Sequence, residues 1–96
     1  MERLFHVTKK ENLDSIFREG LLLEKFQDGV VWLFKHREDI KKYLRDAPKN
    51  WTGNNIIIEC IVPSYQLRRG DWPVWREYYI TKNISPNRII GAVAIE

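Results

Sequence analysis

The run Ile56–Val62, Ile-Ile-Ile-Glu-Cys-Ile-Val, constrains this chain more than any other stretch. It is far shorter than the ~20 residues that a bilayer span requires. Its apolar side chains fall on both faces of an extended backbone and Pro63 follows at once, so it predicts a central strand. Cys60, inside the run, is the single cysteine, so no intrachain disulfide can form, and a reduced, cytoplasmic compartment is the expectation. The N-terminus carries no signal-peptide pattern, and no apolar run is long enough for a membrane span. Ninety-six residues leave room for one domain, residues 1–96, with a thin core. Asn50-Trp51-Thr52 formally matches a glycosylation acceptor, expected to be unused without a secretory route.

The flanking segments supply neighbours for that strand. Residues 3–7 read as a short strand, with Leu4, His6 and Thr8 on one side and Phe5 and Val7 on the other. Thr8 to Glu11 fits a capping box, leading into a helix that carries Leu13, Ile16 and Phe17 and stops at Gly20. Residues 21–23 continue extended, and 29–34, Gly-Val-Val-Trp-Leu-Phe, predict a buried strand. Residues 37–44 predict an amphipathic helix with Ile40, Tyr43 and Leu44 on one face. Residues 47–55 read as a loop, and 64–75 as a long irregular connection. Residues 76–81 are a strand placing Glu77, Tyr79 and Thr81 on one face; Ser85-Pro86 opens a single helical turn, and 88–96 form the last strand. About five strands and two helices that do not alternate predict an α+β fold with a mostly antiparallel or mixed sheet.

Composition narrows the chemistry. A net charge of +3 permits an acidic partner without demanding one. Two histidines and one cysteine, with no CxxC, HExxH or Asp-rich loop, predict no metal. His6 alone fits a half-buried structural histidine as well as a ligand, and Thr8 fits a helix cap that could also touch one. Trp32 and Tyr43 sit on apolar faces where core packing explains them equally well. Glu77 is an acidic residue within a β-prone strand, where a solvated face and a catalytic carboxylate are both open. Arg68, Arg69, Trp72 and Trp75 interleave guanidinium groups with indoles, a combination suited to phosphate contact and base stacking. The competing expectation is that the indoles pin the loop to the core while Asp71 pairs with a neighbouring arginine.

Three segments carry a resemblance. Apolar-x-His6-x-Thr8 followed by Asn12, Ile16, Gly20 and Leu21; Trp32 followed after ten intervening residues by Tyr43; and Glu77 followed by Ile84-Ser85-Pro86 occur in that order along nearly the whole chain. Together they resemble the ADP-ribosyltransferase-like superfamily, in its His-Tyr-Glu branch. The resemblance implies a split, strongly bent sheet with a cleft between its halves, NAD as substrate, and an acceptor that is protein or nucleic acid. It implies that His6 bonds a ribose hydroxyl, that Tyr43 with Trp32 stacks on the nicotinamide ring, and that Glu77 binds the 2′-hydroxyl of the nicotinamide ribose. A fixed carboxylate there also suits the chemistry, because breaking the nicotinamide–ribose bond builds positive charge on the sugar. Trp75 stands where arginine-modifying members carry Gln or Glu, which points away from arginine as acceptor. The Ser-Thr-Ser motif of the other branch is absent, and the paired arginines of RNA 2′-phosphotransferases align only loosely with Arg68 and Arg69.

Two other functions remain open. The same cleft could bind ADP-ribose-like or cyclic nucleotides without turnover, as a sensor, sponge or inhibitor protein, in which case Glu77 is dispensable for binding. Alternatively, the Arg/Trp loop could make the chain a small basic nucleic-acid-interaction module, whose binding weakens with salt.

Overall fold

The computed structural model describes residues 1–48 and 55–95. Most of the expected 47–55 loop, including Asn50-Trp51-Thr52, lies outside the described residues. Six strands and two α-helices are present among them: β1 (Glu2–Lys9), α1 (Leu13–Glu19), β2 (Val31–Leu33), α2 (Arg37–Asp46), β3 (Asn55–Val62), β4 (Arg68–Arg69), β5 (Tyr78–Ile80) and β6 (Ile89–Ala94). They form two three-stranded antiparallel sheets, ordered β1-β3-β6 and β2-β5-β4. The sixth strand is β4, a two-residue edge inside the stretch expected to be irregular, where Arg68 and Arg69 pair with Tyr79 and Tyr78.

β3 is central, as its composition requires. Ile56, Ile58, Cys60 and Val62 belong to one core together with Leu4, Ile16, Leu33 and Ile80. Ile57 points to the opposite face and joins a second core with Phe5, Phe34, Ile40 and Trp75. The first sheet therefore has apolar cover on both faces, with Ile16 of α1 on one side and Ile40 of α2 on the other. Burying an isoleucine of this kind contributes on the order of 2 kcal/mol.

The sheets meet where Phe34, just beyond β2, pairs with Phe5 of β1. Phe5 N–H donates to Phe34 O at 2.9 Å and Phe34 N–H to Phe5 O at 2.8 Å. In space the strands thus run β4-β5-β2-β1-β3-β6. A second bridge, Leu21 with Ile84, ties the end of α1 to the segment before β6. Gly20 ends α1 at φ 85°, a left-handed conformation, and a Cβ there would run into the Ile84 carbonyl.

The capping box does not form. β1 continues to Lys9 because the β3 ladder pairs Thr8 with Ile56 and Lys9 with Asn55. A 3-10 turn, Lys10–Asn12, follows, and α1 starts at Leu13 without a side-chain cap. Thr8 Oγ1 instead accepts from Asn12 Nδ2 at 3.2 Å. Phe17 is exposed; Leu21 and Leu22 are extended as expected, and a 3-10 turn, Leu23–Lys25, begins at Leu23. β5 is shorter than expected, so Glu77 sits just ahead of it. The turn at Pro86 forms as Pro86–Arg88. No helix among the described residues is long and apolar enough to cross a membrane.

Candidate active site

β1, β2, α2 and the segment leading into β5 enclose a cleft of about 550 Å³ where the two sheets meet. Six of the residues singled out in the sequence line it: His6, Trp32, Tyr43, Trp72, Trp75 and Glu77. They come from distant parts of the chain, and each is held by something specific.

His6 is only 5 % exposed, and its Nδ1 lies 2.8 Å from the carbonyl oxygen of Trp32. A carbonyl only accepts, so Nδ1 carries the proton and Nε2 is left as an acceptor. Burial lowers the pKa of His6, with the Trp32 bond opposing that effect, so the ring is neutral at pH 7. Phe26 meets its face edge-on at 5.4 Å.

Trp32 is neither fully buried nor free. Its indole N–H donates to the Asp28 carboxylate at 2.6 Å, and its ring lies 5.2 Å from Tyr79. Gly70 closes over the same ring: a Cβ on Gly70 would sit 2.9 Å from Trp32 Cζ3 and 3.3 Å from Glu77 Cγ. Tyr43 projects from α2 between Phe34 and Trp75, with ring centroids at 5.5 and 5.4 Å. Burial raises its pKa and the negative charge of Glu77 raises it further, so its phenol stays protonated.

Glu77 is one of three carboxylates lining the cleft, with Asp28 and Asp46. Partial burial raises its pKa; the Trp75 indole pulls the other way, and the charge of Asp28 adds to the rise. The Trp75 N–H is near enough to favour the charged carboxylate, yet the two do not reach hydrogen-bond geometry, and the N–H is buried without a partner. The backbone around Glu77 is fixed on both sides. Gly70 N–H donates to Glu77 O at 2.8 Å, and Asp39 accepts the Arg76 N–H at 3.0 Å. The buried Asp39 also takes Arg76 Nε at 2.8 Å, while Glu38 takes Nη2 at 2.6 Å.

The remaining candidates lie elsewhere. Thr8 lines a separate pocket of about 150 Å³ beside His6, with Asn12, Ser15 and Lys25. Arg68 and Arg69 are exposed on β4 and do not line the cleft; the Arg69 guanidinium lies 5.4 Å from the centre of the Tyr78 ring. Trp75 is a core residue at 6 % exposed, whereas Trp72 is half exposed and rests on it at 5.5 Å. Half of the pinning expectation therefore holds. The other half does not, for among the described residues no ion pair joins Asp71 to an arginine. Asp28, Asp39, Asp46, Gly70 and Arg76 shape the site without having carried any motif. Among the described residues, no group of three or more His, Cys, Asp or Glu side chains is placed to hold a metal ion.

Compared with known proteins, the chain matches no family model and no curated sequence.

Proposed function

We propose that this cleft cleaves the nicotinamide–ribose bond of NAD and passes the ADP-ribosyl group to an acceptor or to water, within an ADP-ribosyltransferase-like split sheet. The observation that carries the reading is the convergence of His6, Tyr43 and Glu77, from β1, α2 and the approach to β5, on one cleft. The isolated Phe5–Phe34 bridge, with a three-stranded sheet on each side, is compatible with that fold.

Each group has a defined task. The nicotinamide ring packs against Tyr43 and the neighbouring indoles, and aromatic contact of this kind is worth about 1 kcal/mol. His6 Nε2, an acceptor by its tautomer, takes a hydrogen bond from a ribose hydroxyl. As the C1′–N bond breaks, its electron pair leaves with the ring nitrogen and neutralises nicotinamide, while positive charge builds on the sugar. The Glu77 carboxylate faces that charge and stabilises it more in the transition state than in the ground state. The acceptor hydroxyl, amine or water then adds to C1′ and releases a proton.

The test is release of nicotinamide from NAD over hours by wild type and Glu77→Gln. Release lost by ~100-fold or more in the variant supports the enzyme. Binding of NAD or ADP-ribose without release by either protein would replace it with a nucleotide-binding sensor or sponge, and no binding at all would end the nucleotide reading.

A further inference from the structure

We propose, resting on that reading, that the cleft selects its substrate by the positive charge of the aromatic ring and excludes phosphate, so that a cationic N-ribosyl pyridinium nucleoside binds at least as well as the dinucleotide.

The charge inventory carries the argument. Asp28, Asp46 and Glu77 line the cleft, and no lysine or arginine among the described residues does. His6 adds no charge, since burial keeps its ring neutral. Three described cations close in sequence to lining residues are engaged elsewhere. Arg76 is taken by Glu38 and Asp39, Arg37 lies over Phe5, and Lys35 lies over Tyr78 and pairs with Glu2. Arg45 offsets one of the three carboxylates by pairing with Asp46 at 3.2 Å, which leaves Asp28 and Glu77 uncompensated.

The rest of the lining points to the same class of ligand. Trp32, Tyr43, Trp72 and Trp75 contribute aromatic surface, which attracts organic cations through the negative faces of the rings. A pyridinium among these rings, beside Glu77, meets both attractions at once. A pyrophosphate in the same volume would bring two negative charges against the Asp28 and Glu77 carboxylates, with no lysine or arginine among the described lining residues to balance them, so it is disfavoured there. A second feature specifies the ligand further. The Trp75 N–H in the cleft wall is buried and makes no well-formed hydrogen bond, although Glu77 lies near it. A ligand that carries a carbonyl or hydroxyl next to its cationic ring would satisfy it, recovering the cost of an orphaned donor. The hydrolytic form of the reaction balances without phosphate: ribosyl pyridinium cation plus water gives ribose, the neutral ring and one proton.

Calorimetry with two matched pairs tests this. In the first pair, 1-methylnicotinamide, which is cationic and cannot be cleaved, is compared with neutral nicotinamide. The cation is expected to bind at least ~10-fold more tightly, with the ratio falling toward one in Glu77→Gln and part of the way in Asp28→Asn. In the second pair, nicotinamide riboside is expected to bind no more weakly than NAD. Equal binding of the first pair, or NAD favoured by more than ~10-fold in the second, overturns the inference. The two levels of the argument separate cleanly. Nicotinamide release from NAD without charge preference defeats the selection and leaves the enzyme standing. Charge preference without release from NAD or the riboside defeats the enzyme and leaves a cation-binding cleft.

Discussion

Asp39, in the first turn of α2, is 1 % exposed and accepts both the backbone N–H and Nε of Arg76, 37 positions further along the chain. The carboxylate thereby fastens the helix that carries Tyr43 to the segment that carries Trp75 and Glu77. Asp39→Ala leaves the Arg76 N–H without its acceptor and frees that segment. It is expected to lower the thermal midpoint by roughly 5–10 °C and to reduce nicotinamide release. Asp39→Asn keeps an acceptor for the backbone N–H and should lose less on both counts. Calorimetric melting and a release assay on the two variants would settle it, and equal melting of all three proteins would refute the role.

Gly70 makes a comparable demand through space. Its N–H holds the Glu77 carbonyl, and a methyl group on its Cα would press on Trp32 Cζ3 at 2.9 Å and Glu77 Cγ at 3.3 Å. Trp32 has little freedom to retreat, because Asp28 holds its indole and Tyr79 packs on its ring. Gly70→Ala is expected to cost about 1–3 kcal/mol by overpacking. Displacing Glu77 should also lower kcat by ~10-fold or more. Urea denaturation and steady-state kinetics would show both, whereas wild-type values would mean the cleft tolerates the methyl group.

Cys60 gives a readout of the core itself. It is fully buried in the central strand, and burial first, then the charge of Glu59, pushes its thiol up to about 12. The thiolate is the reactive form, so the native protein should resist alkylation at neutral pH. Labelling by iodoacetamide is expected to follow global unfolding across a urea series. Rapid labelling in buffer alone would show that the central strand opens locally.

What could be read from the sequence, and what could not, follows from the range of each interaction. The β3 run and the α2 pattern express burial along one element, so composition and period suffice. The alternation of β1 likewise separates Leu4 from Phe5, which lie in different cores. The capping box at Thr8 failed because a local preference of about 1 kcal/mol met a ladder that pairs Thr8 with Ile56. β4 has only two residues, too few to show a period. The supports of the site, Asp39, Asp28 and Gly70, act across folds of the chain that no spacing rule anticipates. Charge did carry one signal: a lone acidic residue beside β-prone Tyr78 and Tyr79 marked Glu77.

His6 predicts a pH dependence of stability. Its pKa in the fold is lowered from the ordinary 6.5, so the unfolded chain binds more protons than the native state as pH falls through that value. The contribution of a neutral His6 is therefore complete above about pH 7. It shrinks progressively as pH drops below 6.5 toward the folded value. Unfolding free energies measured in urea from pH 8 to pH 5 should fall more steeply for wild type than for His6→Gln, which cannot titrate. Parallel curves would show that the fold leaves the His6 pKa at its unfolded value.

Glu77 behaves in the opposite sense. Its pKa in the fold is raised above 4.5, chiefly by desolvation, so the native state holds the proton more tightly than the unfolded chain. Stability from this group is complete below the unfolded value and is lost as pH rises through the raised one. Ionising Glu77 thus strains the fold while supplying the charge that the proposed reaction would need. Glu77→Gln is accordingly expected to melt higher than wild type at pH 7, with the difference vanishing near pH 4, even as nicotinamide release is lost. In the proposed reaction only the ionised form would stabilise the sugar cation, so the acid limb of the wild-type pH–rate profile should also lie above the usual carboxylate range. A variant that is both inactive and less stable at pH 7 would mean that Glu77 holds the fold together, and its role would then be structural.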